Sequence, residues 1–140
     1  MALGMGLAVF GHRHWGLAYL GCGHPDRAVP HLTRALRYAD RRASFITKDT
    51  AHALAVALGE AGQPALAVEV EGYTQGRLAE YPFADQSHIW LQPRLAAVEG
   101  QMDAEEVAAS RAAGVRLDRR SFMRLLADAE RRFDSSGTLL

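Results

Sequence analysis

A chain of 140 residues with 49% hydrophobic and 23% charged side chains can bury a core of its own, and this balance excludes a disordered or collagen-like segment. Sixteen basic residues offset sixteen acidic ones, so overall charge selects neither a nucleic acid nor an anionic membrane surface. The single cysteine, Cys22, excludes an internal disulfide and fits a reducing compartment, the cytoplasm.

The opening Met1–Phe10 is apolar but lacks a basic leader and is broken by glycines, so it reads as the start of a packed helix over about 5–22. No run approaches the ~20 apolar residues of a membrane span. Gly23-His24-Pro25-Asp26 closes the first helix, because glycine ends a helix cheaply and proline suits the first turn of the next. The second helix, about 26–40, buries Ala28, Val29, Leu32, Ala35 and Leu36, with Pro30 near its first turn.

A third helix over about 47–61 carries the stripe Ala51, Leu54, Ala55 and Leu58, with Thr47 or Asp49 as cap. Gly62-Gln63-Pro64 then repeats the earlier turn and starts a fourth helix at about 64–80. Gly23/Gly62, Pro25/Pro64 and Ala28/Ala67 recur at one fixed spacing of 39 residues, an internal repeat that leaves Asp40–Ser44 to a lengthened helix or linker. The cluster Tyr81-Pro82-Phe83-Ala84-Asp85 breaks the pattern. A fifth helix follows at about 86–99, kinked at or beginning near Pro93. Asp103 with Glu106 forms a capping box for a sixth at about 104–113, which Gly114 stops. Asp118 can cap the last, about 119–133, and 135–140 reads as a flexible tail.

Trp15-Gly16, Tyr19, Gly23, Ala28, Leu32 and Ala35 together resemble a tetratricopeptide repeat. The resemblance implies an all-α, right-handed solenoid of antiparallel hairpins, about seven helices in one domain over 1–134, with hairpins at 5–40, 47–80 and 86–113. The segments Ala67–Gly72, Leu95–Val98, Ser110–Gly114, Leu117 and Phe122 further resemble the C-terminal helical region of multidomain bacterial regulators, the STAND-type ATPases and LuxR-type relatives. Glu71 and Asp118 stand where that family has leucine and serine. The resemblance implies a repeat module of a signal-transducing transcriptional regulator. Neither a Walker-type phosphate loop nor a spare basic segment for a DNA-reading helix-turn-helix is present.

Chemistry-bearing patterns lack their required partners. Gly4, Gly6 and Gly11 follow no strand, His12 and His14 sit on opposite helix faces, and His24 and His31 share a face only if the Pro25 turn is helical. Ser87 with His88, or Ser44 with His52, lacks the orienting third group that nucleophilic catalysis needs. Trp15, Tyr19 and Trp90 read as seam fillers, and Cys22 as a small packed residue. The expectation is therefore a non-enzymatic module with no cofactor and no metal.

In the tetratricopeptide family the first helix of each repeat lines a concave groove. Carried over, this implies partner contacts at Phe10, Arg13, Leu17 and Leu20, and at Asp49, His52, Val56 and Glu60; alternatively these residues cover the next helix layer. The expected partner is a protein segment or another domain of a parent regulator, with a small effector enclosed between hairpins as the second reading. Net charge runs +5 over 1–48, −8 over 49–110 and +3 over 111–140. That asymmetry predicts self-association, with the stripe Arg34, Arg37 and Arg41 facing Glu69, Glu71 or Glu80 of a second copy, more readily than binding to nucleic acid. Arg116, Arg119, Arg120 and Arg124 form a second basic cluster.

Overall fold

The computed structural model describes residues 2–39, 46–83 and 86–138; the linker residues Asp40–Ser44 and the turn residues Ala84 and Asp85 lie outside these. The described residues form seven helices: α1 (Ala2–Gly21), α2 (Pro25–Ala39), α3 (Thr47–Glu60), α4 (Pro64–Arg77), α5 (Ser87–Glu99), α6 (Ala104–Arg116) and α7 (Arg119–Thr138). The molecule is all-helical, with no strand among the described residues. No helix among them is long and apolar enough to cross a membrane.

The α1–α2 and α3–α4 turns have the same construction. Gly23 and Gly62 sit at φ 83° and 95°, a region open to glycine, and each follows the last turn of a helix. His24 N–H donates to the Tyr19 carbonyl and Gly23 N–H to that of Leu20; Gln63 and Gly62 repeat this pairing on Leu58 and Gly59. These are Schellman closures, which satisfy carbonyls that a helix end leaves over. Proline then opens the next helix in each case, and Ala28 and Ala67, one turn further on, are both fully buried. Pro30 lies inside α2 and is buried; the carbonyl its missing N–H leaves unclaimed belongs to exposed Asp26.

The central element is α3, buried at every position from Asp49 to Gly59. It packs against α2, α4 and α5, while α1 lies on α2 and only grazes α3. Two close approaches set this layering. Gly16 of α1 lies under Leu32, and Gly59 of α3 lies under Val98, so neither site has room for a β-carbon. The fifth helix packs chiefly on α3, and α6 is the main partner of α4.

Gly114 corrects the sequence expectation. It does not stop the sixth helix but lies buried within α6, against the backbone of Glu69 and Tyr73, while Gly72 of α4 faces the Arg111 backbone. The helix ends at Leu117 instead. Asp103 and Asp118 cap as expected: Glu106 N–H donates to Asp103 Oδ1 at 2.9 Å, and Ser121 N–H to Asp118 Oδ1 at 2.7 Å.

The last helix folds back along α2 and extends beyond the expected end at 133 to Thr138, into the segment expected as a tail. Its buried residues Phe122, Leu126 and Ala129 recur at helical spacing, and the Phe122 ring stacks on Tyr73 of α4 with centroids 3.8 Å apart. Polar groups reinforce the seam. Arg34 donates to Glu130 at 2.6 Å and to Asp134 at 2.7 Å, and Arg37 also pairs with Glu130. Within the chain, Arg34 and Arg37 of the basic stripe thus pair with its own α7, Glu71 is buried beside His52, and Arg41 lies outside the described residues.

Candidate functional site

On α1, Phe10, Arg13 and Leu17 recur at spacings of three and four, so they share one face. Arg13 reaches over α3 to Asp49 at 3.7 Å; the Asp49 side chain is fully enclosed, in the first turn of α3, where the helix dipole favours an anion. At the other end Arg94 of α5 donates to the Leu20 carbonyl at 3.0 Å and pairs with Glu60. One guanidinium thereby joins the ends of α1 and α3 to α5. It also lies 5.5 Å from the centre of the Trp90 ring.

Between these two ties an open cleft of about 410 Å³ is lined by Leu17, Gln86, Ser87, Ile89 and Trp90. Ile89 is 60% exposed and Trp90 42%, and Phe10 is also exposed. Trp90 is thus no seam filler, nor is Trp15, which is 56% exposed; Tyr19 alone of the three packs partly against the core. Exposed Cys22 is likewise not packed.

Beside the cleft lies a buried polar group. His52 Nδ1 is 3.2 Å from Glu71 Oε2, and Gln75 donates to the other Glu71 oxygen at 3.3 Å. His52 Nδ1 thus faces the Glu71 carboxylate, and Nε2 is buried with no hydrogen-bond partner among the described residues. Phe83 stands edge-on to His52 with centroids 5.9 Å apart. Its face stacks on His88 at 4.1 Å, and the Lys48 ammonium lies 4.6 Å from the ring centre.

The eight residues expected to contact a partner therefore divide. Phe10 and Glu60 are exposed and Leu17 is partly so, but Leu20, Asp49, His52 and Val56 are buried and present no surface. Asp49, His52 and Val56 lie on α3, the innermost helix and not an open groove wall, and Leu20 is turned into the core from α1. Arg13 is mostly covered through its pairing with Asp49. The α5 residues Ile89 and Trp90 were not foreseen as surface, although they are two adjacent large apolar residues beside a turn segment, a pattern in which one faces outward.

A second cleft, of about 320 Å³, runs between α4 and α7 and is lined in part by Leu66, Glu69, Arg124, Leu125 and Arg132. Burial pushes the Glu69 carboxyl above its ordinary range. Its walls mix both signs of charge, so it favours no one ligand class. Among the described residues no three His, Cys, Asp or Glu side chains come together as a metal site. No family model matches this chain, and no curated protein or solved structure matches it.

Proposed function

We propose that this chain is a non-enzymatic interaction module that receives an apolar segment of a partner protein in the cleft between α1 and α5. The observation that carries the reading is the cleft wall itself: Leu17 on one side, and on the other Ile89 and Trp90, two large apolar side chains left substantially exposed beside it. An aromatic side chain at the edge of an apolar cleft is the kind of anchor that dominates protein–protein contacts. The cleft is open, and this favours a length of polypeptide over a small effector, which would be held in an enclosed pocket.

The repeated closure at Gly23 and Gly62, with Ala28 and Ala67 buried at equivalent places, supports a tetratricopeptide-type right-handed solenoid as the scaffold. In the same reading the module belongs to a cytoplasmic bacterial regulator, whose other domains or client protein supply the segment. Leu20, Asp49, His52 and Val56 hold the walls in place, and Leu17, Ile89 and Trp90 make the contact.

Selection of displayed peptides on the full chain tests this. Selected sequences should carry apolar anchors, and Ile89→Glu should weaken their binding at least tenfold while leaving the melting transition where it was. Peptides that bind the Ile89→Glu chain equally well would remove the cleft as the working surface.

A further inference from the structure

Across the seam between α1 and α2, His12 Nδ1 and His31 Nδ1 are 3.1 Å apart, and the two ring centroids 5.4 Å apart. The centroid separation exceeds the nitrogen separation by about two ring radii, so the nitrogens point straight at one another. An ion between two nitrogens facing in this way needs about 2.0 Å on each side, which this gap does not offer. The arrangement is an N–H···N hydrogen bond, in which one nitrogen must keep a lone pair.

We propose that His12 and His31 form an acid-sensitive latch that holds α1 onto α2. Proton counting gives its operation. With no added proton, one Nδ1–H donates to the other ring. A first added proton leaves a charge-assisted bond of the same shape. A second puts N–H against N–H and two cations face to face, with no acceptor between them, and the seam opens.

The surroundings reinforce this. Arg34 of α2 adds a further positive charge beside the pair, and the facing carboxylates of α7, Glu130 and Asp134, are already engaged by Arg34, with Arg37 also on Glu130. Tyr19 stacks on His31 at 5.6 Å, and Tyr38 lies 6.2 Å from His12. Burial first, then Arg34, pulls the His12 pKa below its ordinary value; for His31 it is burial, then His12 and Arg34. The released helix therefore binds more protons than the docked one. Docking is fully favoured above about pH 6.5 and is lost as pH falls through the lower docked values.

The first helix lies on α2 and only grazes α3, so opening the α1–α2 seam frees most of it; beyond that seam it is also tied by Arg13 to Asp49 and by the Arg94 contact to the Leu20 carbonyl. The latch sits on the α1–α2 seam and does not depend on what the cleft binds.

Hydrogen exchange on the full chain at pH 7.5 and 5.0, corrected for intrinsic rates, reads the latch directly. The opening equilibrium of α1 should rise about tenfold for each unit by which docking depresses the second protonation, with α3 amides unaffected. His12→Gln, which keeps a hydrogen-bonding group but cannot titrate, should abolish the rise. Unchanged α1 protection in the unaltered chain, or the same rise in His12→Gln, would overturn the proposal. Where His12→Gln leaves α1 open at both pH values, imidazole titration of the unaltered chain by NMR decides. Two separated steps, the second below about 6.5, are expected, and two rings titrating together near 6.5 would refute the latch.

Discussion

Replacing Gly114 by alanine should destabilise the fold, although alanine is the better helix former by about 1 kcal/mol. At the α4–α6 crossing the two backbones meet without a side chain between them. A β-carbon on Gly114 would fall on the Glu69 carbonyl, 2.8 Å from its carbon and 2.9 Å from the Tyr73 nitrogen, where ordinary contact needs about 3.5–4.0 Å. Those atoms belong to a helix backbone and cannot rotate away, so the helices must part. Overpacking of this kind costs about 1–3 kcal/mol, here toward the upper end, leaving a net loss of about 1–2 kcal/mol after the propensity gain. For a chain of this size that lowers the melting midpoint by roughly 3–6 °C. Gly76, on α4 four residues after Gly72, provides the contrast: its added β-carbon would meet Val115 at an ordinary 3.8 Å. Gly76→Ala should therefore raise stability by about 0.5–1 kcal/mol. Calorimetry on the two variants tests both signs, and a midpoint that rises for Gly114→Ala as it does for Gly76→Ala would show that these backbones are not in contact.

Three further outcomes follow from the polar contacts. Glu71→Leu, the residue of the regulator family, should cost about 1–3 kcal/mol by leaving buried His52 without its partner, and adding His52→Leu should recover most of the loss in urea titrations. Glu130→Ala removes the acceptor shared by Arg34 and Arg37; it should destabilise by about 1 kcal/mol, less in 1 M salt, and speed amide exchange in α7. Hydrogen bonds from the Glu106 and Ser121 N–H groups hold the Asp103 and Asp118 carboxyls below their ordinary range, so their contribution is present above about pH 4 and is lost as pH falls through the lower folded values. Asp118→Asn keeps an acceptor that does not titrate. Melting curves from pH 6 to 2.5 should show a shallower acid decline for it, and an unchanged decline would argue against the cap.

Local signals carried most of the helix boundaries. Gly23-His24-Pro25 and Gly62-Gln63-Pro64 announce their turns because positive φ and a fixed N-terminal φ are properties of glycine and proline themselves. The same locality misled at Gly114, since a glycine that ends a helix and one that lets another backbone approach look alike until the neighbour is known. Distant pairings were beyond reach for a related reason. Arg34 lies 96 residues from Glu130, and periodicity gives its helix face but not the helix it meets. At the site, the face of α1 was legible in Phe10, Arg13 and Leu17. The depth of α3 was not, because α2, α4 and α5 pack round it and no stripe pattern conveys that. The His12–His31 contact was not legible because periodicity places each histidine on a face of its own helix without saying which faces meet.

The return of α7 onto α2 and α4 has a consequence for biosynthesis. Leu36, Tyr73, Phe122 and Met123 line one depression, and Phe122 stacks on Tyr73, so a nascent chain displays Leu36 and Tyr73 without this cover until residues beyond 122 have left the ribosome. At translation rates of about 5–20 residues per second, Leu36 waits on the order of 10 s for its covering helix. A synonymous codon change that slows elongation through the codons for residues 100–122 would lengthen that interval, exposing the half-made chain to chaperones and to its neighbours on a polysome while leaving the finished protein identical.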